Sequence, residues 1–294
     1  MITPIREPLV EGLFYPQETE ELRGMILQLL TQSTREGTET GPEATPGHPP
    51  LGLVVPNGSY YHCGSVMARG YAALSSLSPP LSVAQYSRII ILAGAPHSEA
   101  HSARSGAFLS TSGAFRTPMG TNPVDTRFQE TLVSLSGLIQ FNETAHLEEH
   151  GIELQLPFIH YTFGEIPVVP ILLSGFTANH VKSLASALML SLEDSPGRSL
   201  IIVSSNMSGP GDLESTQKTA ELVVTAIKSR LWNSLLVPSG QSSESFLPPA
   251  GIGGLAALSL LYRDSDHQLL ARGSSLSVDG NPEVVVEYAC LVVV

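Results

Sequence analysis

The chain has 294 residues, with 15 Lys+Arg against 27 Asp+Glu, a formal charge of −12. That balance argues against nucleic acid or an anionic membrane surface as a partner, because phosphate contacts need Lys and Arg. Hydrophobic residues make up 42% and charged residues 14%, so the chain can bury a large core and is not globally disordered.

The opening MITPIREPLVEG carries Arg6, Glu7 and Glu11 and no apolar run, so it does not read as a signal peptide. Leu22, Met25, Ile26, Leu29 and Leu30 recur at i, i+3, i+4, i+7 and i+8, the stripe of an amphipathic helix. Residues 31–50 are polar and rich in Gly and Pro. They read as a mobile loop inside one domain spanning residues 1–294. Four short, nearly continuous apolar runs follow: 51–56 (LGLVVP), 88–94 (RIIILAG), 167–173 (PVVPILL) and 199–205 (SLIIVSS). Such runs predict strands buried on both faces. Helical patterns at 65–77, 124–135, 177–192 and 213–231 alternate with them. The alternation predicts βαβ units: an α/β fold, one domain, with a central mostly parallel sheet and helices on both faces. Residues 283–294 predict a late strand.

No apolar run reaches the ~18 residues of a membrane span. Cys63 and Cys290 are far apart and in no C-x-x-C pair, which suits a reducing compartment and predicts a cytoplasmic protein. The sequons at Asn57, Asn142 and Asn206 are read as chance. Gly251, Gly253 and Gly254 precede an apolar helix, and close helix packing explains them better than phosphate binding. No G-x-S-x-G elbow is present, so a hydrolase reading lacks its main sequence support.

In α/β sheets, sites form outside the carboxyl ends of strands. The segments after the buried runs are Asn57-Gly58-Ser59-Tyr60, Ala95-Pro96-His97-Ser98, Ser174-Gly175 and Asn206-Met207-Ser208-Gly209. Three of these carry polar side chains suited to a site.

The segments REPLVEGLFYP (6–16), VPNGSYYHCGS (55–65), ILAGAPHSEA (91–100), RTPMGTNPVD (116–125), EEHGIELQLPFI (148–159), VVPILLSG (168–175), VSSNMSGPG (203–211) and VVVEYACLVV (284–293) occur in the order found in the Memo-like family. In bacteria this family is called AmmeMemoRadiSam system protein B. The chain resembles that family over nearly its whole length. The resemblance implies a fold like that of the class III extradiol dioxygenases, which hold a non-haem iron with two histidines and a carboxylate. In Memo-like proteins a cysteine takes the place of the carboxylate.

The resemblance also exposes departures. The family's P-H-A-G-Y histidine position is Asn57 here. The histidine of G-P-S-H-H is kept as His97, followed by Ser98. The aspartate and histidine of S-S-D-x-S-H are Asn206 and Gly209. The late cysteine position falls at Ala250. His150 in E-H-G-I-E is retained, with Glu149, Glu153 and Gln155. Amides are poor ligands for Fe(II), Cu or Zn, and alanine is none. Only His97 remains as a residual ligand position, so no cofactor is predicted.

The expected pocket comprises Asn57, His62, His97, His150, Glu153 and Asn206. His150 is the catalytic candidate, although its imidazole is better explained as bonding Glu149 or Glu153 and ordering the loop. The first reading is a non-catalytic binding or interaction protein, a pseudoenzyme, whose partner is a small-molecule ligand or a protein. The second is an iron-, copper- or zinc-dependent oxidoreductase with a site rebuilt from His62, His97, His150 and a carboxylate. A related alternative is a rebuilt site of His62, Cys63, His97 and His101.

Overall fold

The computed structural model describes residues 4–35, 49–75, 85–95, 105–236 and 246–294. In chain order the elements are β1 (Ile5–Arg6), α1 (Thr19–Arg35), β2 (Gly52–Val55), α2 (Tyr60–Ser75), β3 (Tyr86–Gly94), β4 (Gly106–Leu109), β5 (Ala114–Thr117), β6 (Gly120–Pro123), α3 (Thr126–Leu135), β7 (Ile139–Phe141) and α4 (Glu143–Leu147). Then follow α5 (Leu156–Phe163), β8 (Val168–Ser174), α6 (Ala178–Glu193), β9 (Arg198–Ser204), α7 (Leu213–Lys228), α8 (Ile252–Leu261), β10 (His267–Ser274), α9 (Leu276–Asp279) and β11 (Glu287–Val293).

The main sheet has eight strands in the order β10-β11-β2-β9-β3-β8-β4-β7. Its middle, β2-β9-β3-β8, is parallel throughout. The flanks change direction: β11 runs antiparallel to both β2 and β10, and β4 antiparallel to β8. The four apolar runs read from the sequence are these four central strands. Their side chains alternate between two cores, as the period of two requires. Ile89, Ile91, Leu200 and Ile202 face one core, with Leu22 and Ile26 of α1, Met67 and Tyr71 of α2, and Phe158 of α5. Ile90, Leu92, Ile201 and Val203 face the other, with Phe128 of α3, Leu184 of α6, Val223 of α7 and Leu255 of α8. Each fully buried aliphatic contributes about 1.5–3 kcal/mol before entropy is counted. The result is a three-layer α/β/α domain.

Several expectations shift at their edges. α1 runs to Arg35, so the first five residues of the expected 31–50 loop are helical, and residues 36–48 lie outside the described ones. α8 begins at Ile252, so Gly253 and Gly254 sit inside the helix rather than before it. A Cβ on Gly254 would lie 3.0 Å from Val203 Cγ1 and 3.2 Å from Leu92 Cβ. This helix is apolar all round because it is pressed directly onto the sheet. A second sheet, β1-β5-β6, was not read from the sequence. Among the described residues no helix is long and apolar enough to cross a membrane. Both cysteines are free and buried.

Two glycines give opposite predictions. Gly254→Leu would force α8 off the sheet and should cost at least about 1–3 kcal/mol. Gly24, exposed on α1 with nothing within 4 Å of a Cβ, gains about 0.5–1 kcal/mol as Gly24→Ala. Chemical denaturation of the two variants checks both signs.

Candidate functional site

β2 and β9 are adjacent parallel strands, and Val55 pairs with Ser204. Two residues on, the chains are still together: the Asn57 N–H donates to Asn206 Oδ1 at 2.9 Å. One residue earlier, Ser205 N–H donates to the Val55 carbonyl at 2.9 Å. The side-chain Oδ1 of Asn57 is buried without a partner. Ala250, the position matched to the family's cysteine, packs against Gly94 at the end of β3, its carbonyl where a Gly94 Cβ would go. Gly251 is pressed equally closely on Ser205, whose Cβ lies 2.5 Å from the ideal position of a Gly251 Cβ. Asn57, Asn206 and Ala250 therefore meet at the carboxyl ends of β2, β9 and β3. His97 lies outside the described residues, as does His101.

The segment E-H-G-I-E packs against these strand ends. The Ser204 hydroxyl donates to the Gly151 carbonyl at 2.7 Å. Gln155 Nε2 donates to the Pro56 carbonyl at 3.0 Å and to Ser204 Oγ at 2.9 Å. A Cβ on Gly151 would come within 2.7 Å of both Asn57 Nδ2 and Glu149 Oε1, so glycine is what lets this loop approach Asn57. Glu149 turns back on its own loop. Its carboxylate accepts the Gly151 N–H and, at 3.1 Å, the Ile152 N–H. Burial pushes its pKa up to about 7, against the lowering effect of those amides and of Arg6.

His150 does not make the expected bond to Glu149 or Glu153. Its ring instead meets Phe14 edge-on, with centroids 5.2 Å apart. Burial lowers its pKa and favours the neutral imidazole. Glu153, grouped with the pocket in the sequence reading, is a structural anchor. It is fully buried and accepts from Leu9 N–H (2.7 Å), Val10 N–H (2.9 Å) and Tyr15 Oη (2.7 Å). Arg6 completes it at 3.3 Å and also donates to the carbonyls of His146 and Glu149. No local pattern signals this role, because the partners lie 138–147 residues away. His62 has both ring nitrogens engaged: Nδ1 lies 2.6 Å from Ser59 Oγ and Nε2 2.8 Å from Asp279 Oδ1.

Two variants test these roles. Glu153→Ala leaves the Arg6 guanidinium without its carboxylate and should cost about 3–5 kcal/mol, read by denaturant unfolding. Glu149 behaves differently. Its folded pKa lies above its unfolded value, so the native state binds the extra proton and loses stability as pH rises through the window from about 4.5 to 7. Glu149→Gln should therefore gain on the natural protein by roughly 2–3 kcal/mol between pH 5 and pH 8. A stability difference independent of pH would contradict a buried, upward-shifted carboxyl.

Comparison with known proteins places this geometry in context. A family model described as Memo-like protein matches residues 6–234. A MEMO1 family protein of Thermotoga sp. (strain RQ2) is 31% identical over 287 residues, covering 96% of this chain and 97% of its own. A MEMO1 family protein of Thermotoga neapolitana is 32% identical over 288 residues, with coverages of 97% and 98%. Among solved structures, an uncharacterized protein of Escherichia coli K12 shares the fold with a TM-score of 0.53 at 13% identity, over 83% of this chain and 99% of that one. With the family motifs in order along the chain and the strand-end residues assembled where those motifs fall, this chain belongs to the Memo-like family.

Proposed function

We propose that this chain is a Memo-like protein whose inherited metal centre is degenerate, and that it works as a binding or interaction protein through the strand-end cleft or its surface. The observation that carries this reading is the donor set at the carboxyl ends of β2, β9 and β3. Asn57 and Asn206 offer neutral amides, and Asn206 Oδ1 already accepts a backbone N–H. Ala250 offers a methyl group. A fold-family iron site needs imidazole, thiolate or carboxylate ligands, and these three side chains do not fit one.

Neighbouring groups that could substitute are occupied. Glu149 is bound to its own loop amides, Glu153 to the N-terminal segment, and His62 to Ser59 and Asp279. Among the described residues no three His, Cys, Asp or Glu side chains are grouped as metal ligands. The polar groups at these strand ends are neutral amides, with Asn57 Oδ1 buried and unpartnered. That suits a polar ligand better than an ion.

The test is metal reconstitution. Purified protein is incubated with Fe(II), Cu(II) or Zn(II), desalted, and analysed for bound metal. The expected result is far less than one ion per chain. Near-stoichiometric metal that is lost in a His97→Ala variant would overturn the reading in favour of a rebuilt oxidoreductase site.

A further inference from the structure

We propose a catalytic activity separate from the inherited metal centre: Ser59, His62 and Asp279 form a serine-hydrolase relay that acts on small carboxylic esters. The three side chains are joined end to end, with Ser59 Oγ 2.6 Å from His62 Nδ1 and His62 Nε2 2.8 Å from Asp279 Oδ1. A carboxylate can only accept a hydrogen bond, so His62 carries its proton on Nε2. In the neutral ring Nδ1 is then a lone-pair acceptor for the Ser59 hydroxyl, 2.6 Å away. These are the roles of nucleophile, general base and orienting carboxylate, with the two ring nitrogens exchanged relative to the usual arrangement.

A histidine three residues into a helix can also be a simple cap, and the same molecule contains one for comparison. At the start of α6 the Thr177 hydroxyl accepts the His180 N–H, and His180 Nδ1 accepts the Thr177 N–H. At the start of α2 the hydroxyl meets the ring nitrogen itself. The far side of that ring is held by a carboxylate 217 residues away in sequence. Backbone bonds fix Ser59 in place: its carbonyl accepts from His62 and Cys63 N–H at 3.0 Å each, and the next N–H, of Tyr60, donates to the Phe14 carbonyl. Ser59 follows β2 at its carboxyl end, where α/β folds place their chemistry. The positive end of the sixteen-residue α2 lies beside it, which favours an oxyanion forming there. The His62 and Asp279 side chains are 32% and 46% exposed, so the relay is open to solution and suits small, accessible esters.

The reaction balances without a cofactor. Ser59 Oγ bonds to the ester carbonyl carbon while its proton passes to His62 Nδ1. The carbon–alkoxy bond breaks, and the alcohol leaves with that proton. Water then attacks acyl-Ser59, gives a proton to Nδ1, and releases the carboxylic acid as the proton returns to Ser59. The same nucleophile would displace fluoride from a fluorophosphonate. Asp279 acts through His62 and is a positioning residue.

The experiment treats the full chain with a fluorophosphonate probe in the presence of EDTA, and locates the adduct by peptide mass spectrometry. Hydrolysis of p-nitrophenyl acetate is followed in parallel, and the melting temperature of each variant confirms folding. The expected result is an adduct on Ser59, absent in Ser59→Ala and formed roughly 10²-fold more slowly in His62→Gln. Asp279→Asn should slow it as well, with partial rescue in Asp279→Glu. No adduct on Ser59, or an adduct whose rate His62→Gln leaves unchanged, would overturn the proposal. Because the assay excludes metal, its outcome is independent of the reading of the inherited centre.

Discussion

The hydrogen bond from the Asn57 N–H to Asn206 Oδ1 closes the carboxyl ends of β2 and β9 with neutral groups. The parallel pairing of the two strands fixes its position, since Val55 and Ser204 are in register and the loops leave the sheet together. Everything around the cleft is arranged on that junction. Gln155 and Ser204 tie the E-H-G-I-E loop to it from below. Ala250 and Gly251 cover it from the side of β3 and β9, so closely that only glycine fits at Gly94 and Gly251. The strand ends thus present two amides and a methyl group, side chains that are poor ligands for transition metals.

The scaffold persists because its polar residues hold structure. Glu153 illustrates this. A fully buried carboxylate is costly unless every lone pair is used, and here two backbone amides, a tyrosine hydroxyl and Arg6 use them. Those bonds fasten the N-terminal segment over the cleft, where Phe14 meets His150. Glu149 and Glu153 are thus engaged in holding the fold, Glu149 by its own loop amides and Glu153 by the N-terminal segment.

The central strands were legible in the sequence because they are continuous, β-branched and buried on both faces. β3 reads YSRIIILAG and β9 reads RSLIIVS. The strands that escaped notice are short or mixed: β6 is GTNP, β7 has three residues, and β10, HQLLARGS, lies at the sheet edge with a bulge. Nothing in such segments distinguishes pairing from a turn until a neighbour is present. The site divided in the same way. The adjacency of Asn57 and Asn206 was legible because the strand-end rule depends only on where strands stop. The partners of Glu153 and His62 were hidden because hydrogen bonds between distant segments leave no local pattern. The expected bond from His150 to a neighbouring glutamate was wrong for a similar reason: nearness in sequence suggested it, while both carboxylates were committed elsewhere.

The account rests on the weakness of amide oxygens as ligands for transition metals. A Co(II) titration followed by visible absorption tests this most directly, because imidazole and thiolate ligands give intense ligand-field bands. The natural protein should show only the spectrum of hydrated Co(II) throughout, while a variant carrying Asn57→His and Ala250→Cys gains protein-bound bands. Intense bands saturating at one equivalent in the natural protein would contradict the account.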